Sequence, residues 1–301
     1  MPELPDIEAY LVALRERTLG ATLTGIRIVS PFLLRTVDPP FDAVIGRKVT
    51  ALHRLGKRIV LGFDGAPPLF AVIHLMISGR FVWSDDPKAR SKDKATLASF
   101  HFDTGTLTLV EAATQKRASL HVVAGEDALS ALHRSGLEPL TATPRQFADA
   151  VTRENRTLKR VLTSPSILSG IGNAFSDEIL HAARLSPIKL SSRLTSEEHN
   201  RLYNATQSVL TAWTSTLVER ARKTFPSRAE VTAFRPEFAV HGKFGKPCPV
   251  CGTAVQRIVH ATNETNYCPR CQTEGKLLAD RSLSRLLKDD WPATIEEWES
   301  R

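Results

Sequence analysis

The cysteines have the most specific spacing for chemistry in this sequence. There are four of them, Cys248, Cys251, Cys268 and Cys271, in two Cys-x2-Cys pairs separated by 16 residues. Each pair can direct two thiolates at one point, and the intervening segment can return as a hairpin to complete a tetrahedron. Four thiolates leave no position for water, so the pattern predicts one structural Zn²⁺. Two disulfides are the alternative, which a reducing compartment disfavours.

The segment between the two cysteine pairs carries polar residues that suit a phosphate backbone. Arg257, His260 and Asn263 all lie in it, and side chains of these types commonly contact phosphates. We therefore expect Arg257 and Asn263 to bind nucleic acid. A ribbon that only stabilises the fold is the alternative.

The net charge of the chain indicates which class of partner it binds. The 301 residues include 40 Lys and Arg against 32 Asp and Glu, which gives a net charge of +8, and the sequence pI is about 9.5. This balance favours an anionic partner, of which nucleic acid is the commonest. A basic protein without such a partner is the alternative.

The sequence shows neither a secretory signal nor a membrane span. Its acidic start is not followed by an apolar run, unlike a secretory signal. The most apolar stretch, residues 69–81, is interrupted by His74, Ser78 and Arg80 and is shorter than the roughly 20 residues that a membrane helix needs. We expect a cytoplasmic protein, associated with the nucleoid if the source is bacterial, and no secretion or membrane partner.

Hydrophobic periodicity separates a β half from an α half. Helical spacing predicts an amphipathic helix over about residues 6–17. Short β-branched and alternating runs over about 22–123 predict a β-sandwich or barrel. Helical periods dominate over about 144–223. The cysteines follow, and leucines 283, 286 and 287 predict one more helix in the tail.

Four stretches together resemble the formamidopyrimidine-DNA glycosylase and endonuclease VIII family. They are Met1-Pro2-Glu3-Leu4-Pro5-Asp6-Ile7-Glu8, Leu55-Gly56-Lys57-Arg58, Ser169-Gly170-Ile171-Gly172-Asn173 continuing to Asp177-Glu178, and the finger ending Cys268-Pro269-Arg270-Cys271-Gln272. The resemblance covers roughly residues 1–275. It implies an α+β multidomain fold with an N-terminal β-sandwich, a helix-two-turns-helix α domain and a C-terminal four-cysteine zinc finger.

The resemblance also implies domain boundaries. We expect a catalytic β-sandwich domain with its N-terminal helix over 1–125 and a linker over 126–143. The helix-two-turns-helix DNA-binding domain would cover 144–235 and the zinc finger 236–275. A helical tail over 276–301 has no predicted role.

The resemblance assigns the chemistry to the N-terminus. An α-amino group with a pKa near 8 is about 10% neutral at pH 7, whereas a lysine near 10.4 is about 0.04% neutral. Once Met1 is removed, Pro2 presents a secondary amine whose adduct with the sugar C1′ is a permanently cationic iminium, an electron sink. By resemblance, Pro2 displaces the damaged base and forms the Schiff base, and Glu3 is the general acid on the opening sugar ring. A helix-start preference is the alternative explanation for both residues.

Two further residues match motifs of the family. Lys57 lies in a predicted turn between Arg54 and Arg58, where by resemblance it binds the phosphate beside the lesion and assists proton transfer. Asn173 begins a predicted helix after Gly172, where by resemblance it grips a phosphate. A solvated turn lysine and a plain helix cap are the respective alternatives.

The sequence departs from the family pattern at several places. The wedge that fills the gap left by a flipped base would be Ile77 with Met76, although either could be a strand core residue. The family's Asp-Pro-Arg-Arg-Phe-Gly segment, which reads the opposite base, is replaced by residues 111–117. Asn263 stands where the finger usually has an arginine, and Asp6 where the family usually has glutamate.

These features predict a bifunctional DNA glycosylase and abasic-site lyase of base excision repair. The enzyme would remove oxidised bases after flipping them out of the stack, and would cleave the strand by β,δ-elimination. Its predicted partner is double-stranded DNA with damaged bases or abasic sites, its only predicted cofactor is Zn²⁺, and it is expected to be a monomer. The alternatives are a non-cleaving DNA-damage-binding protein of the same fold and a glycosylase for bulky or crosslinked lesions.

Overall fold

The structure is a computed structural model that describes residues 1–133, 136–229, 232, 235–260, 263–278 and 292–300. The chain folds into two compact units. The first comprises Met1–Arg134 and Trp213–Thr232, and the second comprises Ser135–Ala212 and Ala233–Arg301. Within the described ranges, no helix is both long and apolar enough to cross a membrane.

The first unit is a β-sandwich of two four-stranded sheets. One sheet has the order β1-β6-β7-β5, and the other β2-β3-β4-β8. All neighbouring strands are antiparallel. The strands are β1 (Leu23–Ile28), β2 (Val49–Leu55), β3 (Arg58–Phe63), β4 (Leu69–His74), β5 (Gly79–Ser84), β6 (Thr96–Phe102), β7 (Gly105–Glu111) and β8 (Ser119–Ala124). The sandwich confirms the predicted architecture of this half.

Helix α1 (Leu4–Thr18) covers the sandwich. It starts two residues earlier than the periodicity predicts, because Pro5 and a reciprocal capping box between Glu3 and Asp6 already fix the first turn. Its side chains Ile7 and Leu11 are fully buried in the core shared by the two sheets.

Three connections meet at one end of the β2-β3-β4-β8 sheet. Arg58 pairs with His74, and His74 pairs with Ser119. The turn before Arg58, the turn after His74 and the segment before Ser119 therefore emerge side by side. This register brings the turn of Lys57 and the segment 112–118 to the same end of the sandwich.

A short helix, α2 (Glu126–Ala131), lies within the segment expected to be a linker. Its Leu129 is buried against Val60, Phe70 and Val123 on the outer face of a sheet. Six residues are too few to show a helical period, which explains why sequence patterns did not predict this helix.

The second unit contains helices and a two-stranded ribbon. They are α3 (Pro144–Thr152), α4 (Leu158–Thr163), α5 (Asn173–Ala182), β9 (Gln256–Val259), β10 (Glu264–Tyr267), α7 (Pro269–Thr273) and α8 (Ile295–Glu299). The first part of the long helix α6 (Ser196–Lys223) belongs to the second unit, and its last part belongs to the first unit. In the first unit, Leu217 and Ala221 of α6 pack on Ala9 and Ala13 of α1. The tail helix predicted from leucines 283, 286 and 287 lies outside the described residues.

Candidate functional site

The terminal amine lies in a largely buried and charged environment. Burial lowers the pKa of the Met1 α-amino group; the charges of Arg80 and Lys57 also lower it, whereas those of Glu3 and Asp6 raise it. A lowered pKa increases the fraction of amine that is neutral and nucleophilic near pH 7. The amine here belongs to Met1, so the buried Pro2 nitrogen is part of a peptide bond.

The first turn of α1 fixes Glu3 beside this terminus. The Glu3 N–H donates to Asp6 Oδ2 at 2.8 Å, and the Thr232 hydroxyl donates to the same oxygen at 3.1 Å. Both carboxylates are buried. Asp6, for which the sequence predicted no role, thus caps the helix and holds the backbone of Glu3.

Lys57 lies in a two-residue turn between β2 and β3, because Leu55 pairs with Arg58. Gly56 takes a positive φ of 64° in this turn, as a tight hairpin requires. Arg54 ties the turn to α1 by donating to Gly56 O at 2.9 Å and to Glu8 Oε1 at 2.8 Å. The turn therefore holds the Lys57 charge where it acts on the terminal amine.

Arg80 is a charged residue of this region that the sequence reasoning missed. It lies on β5 with only 6% of its surface exposed, and its Nη1 donates to Gly79 O at 2.7 Å. The position of this arginine inside the most apolar stretch of the chain could have indicated its importance from the sequence alone, because a buried charge normally has a function or a partner. Its charge lowers the pKa of the terminal amine.

Met76 and Ile77 lie in the turn between β4 and β5, not in a strand. Ile77 is 53% exposed, and Met76 has a positive φ of 53°. A Cβ at Gly79 would collide with the Leu75 carbonyl oxygen, so only glycine allows this tight return. The turn therefore presents Ile77 to solvent, as a wedge residue would need.

The segment that departs from the family pattern, residues 111–117, is anchored by its first residue, Glu111, another residue without a predicted role. Glu111 Oε2 accepts the backbone N–H groups of Arg117 at 2.9 Å and Ala118 at 3.0 Å. Its Oε1 accepts the Ser78 hydroxyl at 3.2 Å. This fully buried carboxylate therefore joins the segment to the turn that carries Ile77.

In the second unit, Asn173 is the first residue of α5, as predicted. Its Nδ2 donates to Glu264 O at 2.9 Å, which links the helix to the ribbon. Lys159 Nζ donates to Asn173 O at 2.7 Å and to Ser176 Oγ at 2.8 Å. A cation thus stands at the first turn of a helix whose N-terminus already favours anions.

Asp177 is the centre of a buried polar cluster. It is fully buried, and its carboxylate pairs with Lys159 Nζ at 2.5 Å and with His241 Nδ1 at 2.7 Å. It also accepts the Asn266 N–H at 3.2 Å. The neighbouring Glu178 accepts three backbone N–H groups from residues 239–241 at 2.8–2.9 Å. These two carboxylates fix α5 to the segment that leads into the finger.

The four cysteine sulfur atoms lie within 4.8 Å of one another. Tetrahedral Zn–S bonds of about 2.3 Å would separate the sulfurs by about 3.8 Å, and the Cys248–Cys271 and Cys251–Cys268 distances are 4.0 and 3.4 Å. Burial raises the pKa of the Cys268 and Cys271 thiols, whereas at Cys251 burial is outweighed by hydrogen bonds from Thr253 and the neighbouring thiols together, which lower the pKa of that thiol to about 6. Ionisation of all four thiols together therefore requires a compensating cation. The site therefore fits one structural Zn²⁺, as predicted.

His181 contacts this cluster from α5. Its Nε2 lies 3.3 Å from Cys248 Sγ, and both side chains are buried. Such a contact orients a thiolate ligand. The helix that begins at Asn173 therefore reaches the zinc site at its other end.

The polar residues Arg257 and Asn263 of the finger ribbon have different surroundings. Arg257 Nη1 pairs with Glu264 at 3.2 Å, and its guanidinium lies 4.3 Å from the centre of the Phe244 ring. Asn263 is exposed, and its backbone C=O and N–H pair with the N–H and C=O of His260. Both residues are thus exposed, and Arg257 is paired with Glu264 within the ribbon.

Three family profiles match the chain in order. They are described as the formamidopyrimidine-DNA glycosylase N-terminal domain over residues 1–117, the formamidopyrimidine-DNA glycosylase H2TH domain over 136–218, and the zinc finger found in FPG and IleRS over 245–273. The third match and the sulfur cluster confirm the predicted zinc finger.

Relatives and solved structures agree with these matches. Formamidopyrimidine-DNA glycosylases from Exiguobacterium sibiricum and Heliobacterium modesticaldum are 31% and 32% identical; each match covers 90% of this chain and 99% and 100% of the relative. The crystal structure of the MutM (Fpg) protein from Thermus thermophilus is 30% identical with a TM-score of 0.74, over 90% of this chain and 98% of that one. The Lactococcus lactis Fpg bound non-covalently to DNA containing an AP site is 21% identical with a TM-score of 0.77, over 90% and 99%, which shows the fold alone. This chain belongs to the formamidopyrimidine-DNA glycosylase family of DNA-repair enzymes.

Proposed function

We propose that the protein is a bifunctional DNA glycosylase and abasic-site lyase that uses Pro2 as nucleophile after loss of Met1. The observation that carries the proposal is the position of Pro2, which is buried beside Glu3 at the start of α1, where burial and the charges of Arg80 and Lys57 act on the terminus of the chain. A neutral amine is what attack on the sugar C1′ requires.

The proposed reaction assigns each bond change to a group. The Pro2 nitrogen lone pair forms a bond to C1′, the N-glycosidic bond breaks, and the base leaves with its electron pair and takes up the proton that the Pro2 nitrogen gives up. Glu3 protonates the ring oxygen as the sugar opens to the iminium. Loss of a C2′ proton then expels the 3′ phosphate, and loss of a C4′ proton expels the 5′ phosphate, because the iminium accepts the electrons.

We propose that the binding residues divide between the units. Lys57 and the turn of Met76 and Ile77 would meet the DNA around the lesion, while Asn173 and Asn263 would contact its backbone. Arg257, paired with Glu264, would shape the ribbon beside that contact. Related proteins support a DNA partner, since one solved MutM is in complex with carbocyclic 8-oxo-G containing DNA. We propose that this enzyme acts on damaged or abasic double-stranded DNA as a cytoplasmic monomer.

The experiment uses end-labelled duplexes that carry oxidised bases, an abasic site, a bulky adduct or a crosslink, with and without borohydride. Protein whose Met1 removal is verified by mass spectrometry should excise a base, cleave the strand and form a trapped complex. Glu3→Gln should slow base excision by about 100-fold or more, the usual value of general-acid catalysis. A form that retains Met1 should bind DNA without trapping.

The control for Lys57→Ala is Lys48→Ala, which removes an exposed lysine just before β2 in the same unit. Only the Lys57 variant should lose cleavage. Binding without cleavage by the processed protein would instead indicate a damage-binding protein. Efficient trapping by protein that keeps Met1 would refute Pro2 as nucleophile.

A further inference from the structure

The β1-β6-β7-β5 sheet has a polar outer face that none of the chemistry above uses. Arg27 on β1 pairs with Ser99 on β6, so their side chains point to the same side. His101, two residues after Ser99, shares that side. The alternate residues Ala98, Phe100 and Phe102 point into the core instead.

The connection between β5 and β6, residues 85–95, lies beside this polar face and forms an open cavity with it. The cavity has a volume of about 340 Å³ and is lined by Arg27, Ala89, Arg90, Ser99 and His101. We call it the outer cavity. Its lining contains two arginines, a hydroxyl and an imidazole, and no carboxylate.

The acidic residues of the connection are already engaged elsewhere. Asp85 Oδ1 accepts the Trp83 Nε1–H at 2.7 Å, and Asp86 Oδ1 accepts the Lys88 N–H at 2.8 Å. Asp93 pairs with Arg228. In contrast, the guanidinium groups of Arg27 and Arg90 have no hydrogen-bond or ion-pair partner among the described residues. The local positive charge is therefore uncompensated at the outer cavity.

The imidazole of His101 is oriented by hydrogen bonds on one side. Its Nδ1 lies 3.0 Å from Pro87 O and 3.1 Å from Thr106 Oγ1. The Thr106 hydroxyl donates its own proton to Asp86 O, so both neighbours of Nδ1 are acceptors and Nδ1 carries the hydrogen. In the neutral ring the opposite nitrogen, Nε2, is then an acceptor, which can bind the hydroxyl of a monoprotonated phosphate.

We propose that the outer cavity is a binding site for a phosphate group, held by Arg27 and Arg90 with help from Ser99. Two guanidinium forks suit the oxygen atoms of a phosphate, and charge-assisted hydrogen bonds to it are strong. The phosphate belongs either to a small ligand, such as inorganic phosphate or a nucleotide, or to a DNA backbone remote from the Lys57 turn. The inference is independent of the proposed catalytic reaction.

The test is calorimetric titration of the full chain with inorganic phosphate and with a deoxynucleoside 5′-monophosphate. Saturable binding of one anion per chain is expected. Arg27→Ala or Arg90→Ala should weaken it by at least about tenfold, the value of one charged hydrogen bond. Arg35→Ala, which removes an exposed arginine of the same unit that does not line the cavity, should leave it unchanged.

A second arm separates the two sources of phosphate. Binding of an undamaged duplex is measured from about 50 to 200 mM salt, where a lost phosphate contact reduces the log-log slope by about 0.9. A reduced slope for Arg27→Ala and Arg90→Ala, but not for Arg35→Ala, assigns the site to the DNA backbone. An unchanged slope with loss of anion binding assigns it to a small ligand. No saturable anion binding together with an unchanged slope, or equal effects of all three substitutions, would overturn the proposal.

Discussion

Replacing Asp177 with asparagine should loosen the connection between α5 and the finger. The substitution keeps the shape but removes a charge that Lys159 and His241 contact at 2.5 and 2.7 Å. Removing one partner of a buried ion pair costs about 3–5 kcal/mol. Lys159 keeps its bonds to Asn173 O and Ser176 Oγ, so the lower value, about 3 kcal/mol, applies.

Hydrogen exchange measured by mass spectrometry can detect this loss locally. In peptides from α5 and β10, the free energy of local opening should fall by about 3 kcal/mol. This raises the equilibrium constant for opening by more than about 100-fold. Peptides from β4 and β8 in the first unit should be unchanged. The matched control is Asp149→Asn on α3, an exposed carboxylate whose replacement should cost less than about 0.5 kcal/mol.

A double substitution distinguishes the loss of the Lys159–Asp177 attraction from the cost of leaving the Lys159 ammonium unpaired. Lys159→Met combined with Asp177→Asn should be less destabilising than Asp177→Asn alone, because no unpaired ammonium then remains. If Asp177→Asn changes the opening free energy of α5 by less than about 1 kcal/mol, the cluster does not hold α5 to the finger.

Three further predictions concern the finger. Cys248→Ser should release about one zinc per chain and weaken DNA binding while the sandwich stays folded. His181→Phe should keep the zinc but speed its loss to a chelator by about 10- to 100-fold, the usual value of a contact to a metal ligand. A chelation rate equal to that of the native protein would show that His181 does not position Cys248. Asn263→Arg should tighten DNA binding at low salt and steepen the log-log salt slope by about 0.9, equally for damaged and undamaged DNA. An unchanged slope would show that residue 263 does not face the DNA backbone.

The fold was predictable where local signals and core patterns agree. The alternating strands, the helical periods after residue 144 and the cysteine spacing each depend on residues close in sequence. The short helix α2 escaped prediction because its single buried leucine, Leu129, has its partners on β3 and β4, far earlier in the chain, and on the adjacent β8. Burial by distant partners leaves no periodic pattern.

The supporting residues of the candidate site were less predictable than the residues that match motifs. Asn173 could be placed at a helix start from its neighbours alone. The role of Glu111 depends on Ser78, which is 33 residues away in sequence, and that of Asp177 on His241, 64 residues away. A carboxylate in the sequence does not reveal which donors will surround it, so such residues emerge only from the tertiary structure.

Two of the causes that lower the pKa of the terminal amine, burial and the charge of Lys57, should respond in opposite ways when DNA binds. A phosphate drawn to Lys57 would partly neutralise that cation and so weaken its effect on the amine. The DNA would also remove water from the same region, which strengthens the effect of burial on any charged amine. Burial is the larger cause in the protein alone, and DNA adds to it. Arg80 is itself buried, with its Nη1 bonded to Gly79 O, and is therefore less open to an incoming phosphate than the turn lysine. The pKa of the terminal amine should consequently stay lowered in the complex, which favours the neutral form of the amine.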